Sequence, residues 1–138
     1  MKGLVLILGF LLGIFIVSSM LTPTIASSRA YDTTVVHSLN GAGDVESLIA
    51  SGKKTYILYH ASWCHHCKVL KPQFEDLNAE FDDAVFAECE CAKHHDVPQK
   101  MKIPAFPCIR KYEGGKQVGE MTGARKDKTA TREALKQI

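Results

Sequence analysis

The sequence predicts an α/β domain in which a central mixed β-sheet carries helices on both faces. In the first half of the chain, β-rich apolar segments alternate with segments of helical periodicity. Near the carboxyl end, two β-rich segments follow each other across Gly114-Gly115, which is typical of a hairpin. The 138 residues, 46% of them hydrophobic, suffice for one core and not for two. A net charge of +2 gives no reason to expect a nucleic-acid partner.

The first segment is expected to lie outside the folded domain. Lys2 precedes an uncharged apolar run over residues 3–17, and small residues, Thr24 and Ala26, stand where a signal cleavage site requires them. Residues 1–26 are therefore interpreted as a secretory signal. The alternative is a retained membrane anchor, because the apolar character continues to Ile25 and is just long enough to span a bilayer.

Both interpretations predict that the remainder of the chain lies outside the cytosol. The protein would be secreted, or located in a non-cytosolic lumen or the periplasm, or anchored with residues 30–138 on the non-cytosolic side. In the anchored case, residues 3–25 would associate with the membrane. We expect residues 27–32 to form a short linker and residues 33–138 to form the domain.

The first three predicted elements are a strand, a helix and a strand. Residues 33–39 are β-rich and short, which favours an edge strand. A short helix over 45–51 is expected to begin after Asp44 as its cap and to stop at Gly52. Residues 54–61 show little alternation, as in a strand covered on both faces.

The next three predicted elements begin with a longer helix over residues 67–81. Its apolar side chains recur at spacings of four, three and four, at Leu70, Phe74, Leu77 and Phe81. Pro72 lies inside that pattern, which predicts a kink. Residues 84–91 follow as a second interior strand, and residues 93–101 as a short polar helix or loop.

A hairpin and a helix are predicted to complete the domain. The hairpin strands cover residues 108–112 and 117–122, and the terminal helix covers residues 127–138. The element order is β-α-β-α-β-α-β-β-α. Alternation in the first half implies parallel pairing, and the hairpin adds antiparallel strands, so the sheet is expected to be mixed.

Two cysteines indicate the chemistry of this protein, and they lie in the segment Trp63-Cys64-His65-His66-Cys67-Lys68. One helical turn brings residues three apart close enough for a disulfide. A helix N-terminus favours a thiolate, so Cys64 is expected to have a lowered pKa. Cys64 is the expected nucleophile because it lies at the helix end and faces solvent. Cys67, one turn further in, is expected to resolve the mixed disulfide.

The two histidines between these cysteines are candidates for tuning the redox potential. His65 and His66 can each donate a hydrogen bond to the Cys64 sulfur or, when protonated, stabilise its charge. A stabilised thiolate favours the reduced protein, which makes the disulfide a better oxidant. The alternative for both histidines is solvent exposure without effect.

The segment WCHHCK after the strand YILYHA, with Pro72 five residues beyond Cys67, resembles the thioredoxin superfamily. The position of His66 is similar to that in protein disulfide isomerase domains. The resemblance implies a thioredoxin-like fold and a thiol–disulfide oxidoreductase, oxidase- or isomerase-leaning, that acts on protein thiols and disulfides with a separate redox partner. It implies no cofactor and no metal. Trp63 would pack beside the site, and Lys68 would favour the thiolate.

The resemblance also implies a cis-proline facing the two cysteines. Pro104 and Pro107 compete for this role, and Pro107 fits better because a strand and a hairpin follow it at the family's spacing. A cis bond there would leave the backbone of Phe106 free to pair with an extended substrate. Phe106, Pro107 and Cys108 are therefore the predicted substrate-binding residues, with Cys108 near the Cys64–Cys67 pair.

The chain departs from the family pattern at two strand positions. Leu58 stands where many thioredoxins have a buried aspartate, and Glu88 stands where many have a lysine. One hypothesis is that Glu88 lies beneath the disulfide, has its pKa raised by desolvation and serves as the proton shuttle. The alternative is an outward-facing glutamate.

The remaining cysteines leave further alternatives open. Cys89 and Cys91 share one face of a predicted strand, which is typical of small buried core residues, although a redox or metal role with His94 and His95 is a second interpretation. The alternative function for the whole chain is metal or iron–sulfur binding by Cys64, Cys67 and Cys108, completed by ligands from outside the chain. A third is a docking module with a purely structural disulfide. The sequence does not determine the direction of electron flow.

Overall fold

A computed structural model describes residues 30–138, and in it five strands form one sheet in the order β1-β3-β2-β4-β5. The strands are β1 (Val36–Leu39), β2 (Thr55–His60), β3 (Val85–Glu90), β4 (Cys108–Glu113) and β5 (Lys116–Thr122). The helices are α1 (Ala42–Ala50), α2 (His65–Leu77), α3 (Asp96–Lys100) and α4 (Lys128–Gln137), and a 3-10 turn (Asn78–Glu80) follows α2. Strands β1, β3 and β2 are parallel, whereas β4 and β5 are antiparallel, which confirms the predicted mixed sheet.

Two hydrophobic clusters cover the two faces of the sheet. The first joins alternate strand residues to α1 and α3, through side chains such as Val45, Leu48 and Val97. The second joins the other strand residues to α2 and α4, and it contains Phe74 and Leu135. Every residue of β2 is buried, as its lack of alternation predicted. The sheet therefore has helices on both faces, and the carboxyl ends of β2 and β3 meet at one edge.

The first two elements differ from the predicted boundaries for local reasons. Strand β1 is shorter because the Asp32 carboxylate accepts hydrogen bonds from the backbone and side chain of Thr34 and turns the chain there. Helix α1 begins after Gly41, whose φ of 122° suits a residue without a side chain. The predicted cap at Asp44 is wrong, since Asp44 lies in the first turn and Asp96 accepts the Ala42 N–H at 2.9 Å.

Helix α2 begins two residues earlier than predicted. Cys64 adopts an extended conformation and acts as its N-cap, so His65 is the first helical residue. The helix runs through Pro72 and ends at Leu77. Phe81 lies beyond it, yet it packs in the same hydrophobic cluster as Phe74, so the predicted face is correct although the predicted end is not.

The predicted signal or anchor, residues 1–26, and residues 27–29 of the linker lie outside the described residues. Between residues 30 and 138, no helix is both long and apolar enough to cross a membrane.

Candidate active site

The site is built where β2 ends and α2 begins. After the strand, the Cys64 N–H donates to the Ala61 carbonyl at 3.1 Å and closes a turn that leads into the helix. The Cys64 sulfur then accepts a hydrogen bond from the Cys67 N–H at 3.3 Å. An N–H group of the first helical turn, which has no acceptor within the helix, is thus directed at the sulfur.

Both cysteines are buried. Cys64 is 7% exposed and Cys67 2% exposed, and they form a small cluster with Ala61, against which Ala92 and Phe106 pack. The prediction that Cys64 faces solvent is therefore wrong, because these neighbours cover most of its side chain. The outer cysteine nevertheless remains the more exposed of the two.

Burial acts strongly on the inner cysteine. Desolvation, followed by the hydrogen bond with Cys64, raises the pKa of Cys67 to about 12. The backbone of Ala61 opposes this shift to a smaller extent. Cys67 therefore holds its proton at neutral pH, and any reaction through its sulfur requires a group that removes it.

The residues around the two cysteines lie mostly in solvent. Trp63 is 72% exposed, and its ring meets that of Phe106 edge-to-face at a centroid distance of 6.0 Å. The His65 and His66 side chains are exposed, with ring centroids 5.9 Å apart. The hydrogen bond found at the Cys64 sulfur comes from backbone rather than from these imidazoles. Lys68 is exposed and lines a cavity beside Cys67.

The loop opposite the cysteines contains the Phe106–Pro107 bond, which is cis, so Pro107 rather than Pro104 has this geometry.

Cys108, the residue after this proline, does not match its predicted role in substrate binding. Cys108 is fully buried among the core residues of the α1 face, so it cannot contact a substrate in this structure. Desolvation raises the pKa of its thiol to about 12.

A partly buried polar network lies at the ends of β2 and β3. The His60 Nε2 is 2.6 Å from the Glu88 Oε2, and the His60 Nδ1 is 3.7 Å from the Glu90 Oε2. Lys71 of α2 contacts the same Glu88 oxygen at 3.0 Å. The backbone N–H groups of Ser62 and Ala92 donate to Glu90.

Sequence reasoning missed His60, Lys71 and Glu90. The available signal was the period of two in the strands. In the register of β2 and β3, His60 lies opposite Glu90, so alternate residues such as Glu88 share its face. A histidine and two glutamates at the carboxyl ends of adjacent parallel strands could have been placed together from that pattern.

The hypothesis of Glu88 as a proton shuttle is wrong. Its hydrogen bonds with His60 and Lys71 lower the pKa of Glu88 to about 2, against the opposing effect of desolvation. A carboxylate so firmly ionised is a poor proton carrier near neutral pH. Glu88 is instead a fixed negative charge that binds the imidazole and the ammonium group.

This ion-pair network predicts a pH dependence of stability. A carboxylate with a lowered pKa stabilises the fold above its unfolded value, 4.5, and this contribution is lost as pH falls towards 2. The wild type is therefore expected to be more stable than Glu88→Gln at pH 6, with a difference that shrinks below pH 4. Urea unfolding at several pH values measures it, and a difference independent of pH would contradict the network.

An open cavity of about 160 Å³ separates this network from the inner cysteine. Its walls include His60 and Glu90 on the sheet side and Cys67 on the helix side. Lys68 and Lys71 complete its charged lining. The cavity therefore brings ionisable groups and a buried thiol to one solvent-accessible space.

Cys89 and Cys91 are buried core residues, as one of the two interpretations predicted. The Cys91 Sγ donates a hydrogen bond to the Cys89 carbonyl at 3.7 Å, and the interaction of the two thiols raises the pKa of Cys91 and lowers that of Cys89. Within residues 30–138, no group of three or more cysteine, histidine, aspartate or glutamate side chains is arranged to hold a metal.

Several known proteins are similar to this chain in sequence and fold. A family model described as Thioredoxin matches residues 35–137. A thioredoxin from Gallus gallus is 35% identical over 96 residues, which cover 68% of this chain and 91% of that protein. The crystal structure of Schistosoma mansoni thioredoxin is 27% identical, covers 78% of this chain and 98% of its own, and has a TM-score of 0.67. Mitochondrial thioredoxin 3 from Saccharomyces cerevisiae, 24% identical, covers 75% and 95% with a TM-score of 0.65 and shows the fold.

These relatives contradict the predicted location. The relatives found are thioredoxins, and the Saccharomyces cerevisiae structure is that of a mitochondrial protein. The prediction of a secreted, lumenal or periplasmic protein, free or anchored, is therefore wrong by this comparison.

The fold agrees with that of these relatives. The family model covers almost the whole described domain, from β1 to the end of α4. The chain belongs to the thioredoxin family of thiol–disulfide oxidoreductases.

Proposed function

We propose that this protein exchanges disulfides with cysteine-containing proteins through Cys64 and Cys67. The observation that carries the proposal is the backbone N–H of Cys67 donating to the Cys64 sulfur at the first turn of α2. A thiolate is the reactive form of cysteine, and this position stabilises it. The catalytic domain corresponds to residues 33–138.

The exchange proceeds in two displacements. The Cys64 thiolate attacks one sulfur of a substrate disulfide, the substrate S–S bond breaks, and the first substrate sulfur leaves with the electron pair. Cys67, once deprotonated, then attacks Cys64, and the second substrate sulfur leaves. The substrate gains two electrons and two protons, and Cys64 and Cys67 become a disulfide. The reverse sequence oxidises a substrate dithiol.

An apolar rim beside Cys64 is proposed to receive the substrate. Trp63, next to Cys64 in the chain, is 72% exposed, and a large exposed apolar side chain beside a reactive sulfur offers a contact surface to a partner. The ring of Phe106 lies edge-on against Trp63. With Pro107 beside it, the Phe106 backbone is positioned to pair with an extended polypeptide, as in strand addition.

We further propose that the Cys64–Cys67 pair acts mainly as an oxidant or isomerase of protein disulfides. The exposed imidazoles of His65 and His66 lie in the turn that follows the nucleophile, so that when protonated they add positive charge near its sulfur. Lys68 adds a third cationic group. Charge that favours the thiolate makes the disulfide more oxidising.

The potential is expected to lie above the roughly −270 mV of thioredoxin. Equilibration with glutathione buffers, followed by alkylation and mass spectrometry, measures it. Replacing both His65 and His66 by alanine is expected to lower the potential by about 30 mV for each tenfold loss of thiolate stabilisation. His94→Ala, on the loop before α3, serves as the matched control and should leave the potential unchanged.

Two results would contradict the proposal that the pair acts mainly as an oxidant or isomerase. One is a wild-type potential at or below that of thioredoxin. The other is a double histidine variant whose potential equals that of the wild type, which would mean that the two imidazoles do not act on the exchange.

A further inference from the structure

The second displacement requires a group that removes the proton from Cys67. Cys67 is 2% exposed, and burial keeps its thiol protonated at neutral pH. Its attack on the mixed disulfide therefore needs a neighbouring acceptor for the proton. In this chain, Leu58 and Tyr56, the residues of β2 on the α2 face before His60, have no acid–base group suited to neutral pH.

His60 is the remaining residue on that face of β2, and its hydrogen bonds fix its tautomer. Glu88 is ionised and can only accept hydrogen bonds, so the imidazole must donate from the Nε2, which lies 2.6 Å from the carboxylate. In the neutral ring, the lone pair is then on the Nδ1. That atom lies on the side of Glu90, 3.7 Å from its Oε2.

The histidine and the thiol of Cys67 lie at one cavity. His60, Glu90 and Cys67 line the same open cavity of about 160 Å³. A water molecule fills about 30 Å³ in the liquid, and the cavity offers it polar partners on the histidine and the glutamate. The cavity that both residues line is thus large enough for a water molecule that would connect the sulfur and the ring.

We propose that His60, oriented by Glu88, is the acid–base group that takes the proton from Cys67 in the resolving step and returns it in the reverse step. The proposal rests on the proposed function. The Cys67 S–H bond breaks and its proton goes to the His60 Nδ1. The electron pair left on Cys67 forms the bond to the Cys64 sulfur, and the leaving substrate sulfur takes the pair of the broken mixed disulfide. The protonated ring then passes its proton to that sulfur or to solvent.

The charges around His60 act in opposite directions. The carboxylates of Glu88 and Glu90 on β3 place negative charge beside the ring, 2.6 Å and 3.7 Å from its two nitrogens. Lys71 on α2 partly neutralises Glu88, and Lys68 lies on the cavity wall. On the far side, the Ser38 hydroxyl of β1 donates to the other oxygen of Glu88 at 3.1 Å.

The test follows the two displacements separately in the reduced full chain with Ellman's reagent, 5,5′-dithiobis(2-nitrobenzoate). Attack by Cys64 releases the first thionitrobenzoate, and resolution by Cys67 releases the second, so stopped-flow absorbance resolves two phases. In His60→Gln, we expect the second phase to be about 100-fold slower at pH 7 and to lose the inflection that a histidine acceptor adds to its pH profile. The first phase should change less than threefold.

Two further variants keep the test decisive. His37→Gln makes the same change at a histidine on β1 whose Nε2 lies 2.8 Å from the Asp32 carbonyl, and it should preserve both phases. Glu90→Gln removes a carboxylate that faces the protonated ring, so the inflection of the second phase should move to lower pH. This variant decides the question if His60→Gln does not fold.

The outcomes separate the two proposals. A second phase in His60→Gln with the wild-type rate and inflection, an equal slowing of both phases, or an unmoved inflection in Glu90→Gln overturns the role of His60. A wild type that releases no second thionitrobenzoate overturns the exchange function itself.

Discussion

Replacing Cys64 by serine is expected to abolish disulfide exchange, so that insulin reduction by dithiothreitol proceeds no faster than it does without the protein. A serine hydroxyl neither ionises near neutral pH nor forms a disulfide, so the first displacement is lost. The N-cap geometry can persist because a serine oxygen also accepts the Cys67 N–H, and Ser is a favoured N-cap residue. The loss would therefore report chemistry rather than unfolding. Turbidity of the precipitating insulin chains measures the rate.

The companion variant, Cys67→Ser, separates the two displacements. It retains the nucleophile but removes the resolving thiol, so a mixed disulfide with the substrate should accumulate and be visible by mass spectrometry under non-reducing conditions. Cys108→Ala is the matched control, because it removes a buried thiol of the core and should keep the exchange rate within threefold. Appreciable exchange by the Cys64→Ser variant, or no trapped species with Cys67→Ser, would contradict the assignment of the two cysteines.

Truncating Phe86 to alanine should produce a large loss of stability, about 3–5 kcal/mol in the free energy of unfolding. Phe86 is fully buried in the centre of the cluster between the sheet and α2. Its ring lies 4.6 Å from that of Phe74 and 5.2 Å from that of Tyr56, measured between centroids. Removing it leaves a cavity that these rigid neighbours cannot close. Urea unfolding followed by far-ultraviolet circular dichroism measures the change.

Val118→Ala provides the control for this loss of stability. Val118 lies on β5 and is 50% exposed, so its truncation should change the free energy of unfolding by about 0.5 kcal/mol or less. A loss below about 1 kcal/mol for Phe86→Ala would mean that the packing of the α2 face is looser than the ring distances indicate.

The buried face of a helix could be predicted from the sequence, whereas a helix start that depends on a distant residue could not. The spacing of Leu70, Phe74 and Leu77 identified the buried face of α2 because that period is a property of the segment itself. The start of α1 was missed because its capping acceptor is Asp96, 54 residues away along the chain. No local rule could supply that partner.

The candidate site divides in the same way. The two cysteines and Pro107 were found because they lie in short motifs with fixed spacing. Cys108 was misplaced, since its position beside Pro107 suggested proximity to the substrate while the alternation of β4 directs its side chain into the core. Glu88 was correctly singled out but wrongly assigned, because the binding partners that lower its pKa come from β2 and α2.

The amino-acid sequence by itself determined the order of elements, the mixed sheet and the pair Cys64 and Cys67, since periodicity, turn residues and motif spacing act over a few residues. Only the tertiary structure decided which side chains surround that pair. Parallel pairing of β2 with β3 brings His60 to Glu88, and the packing of α2 on the same face adds Lys71. The physical reason is that protonation and burial depend on distances between segments far apart in the chain, which the folded sheet alone fixes.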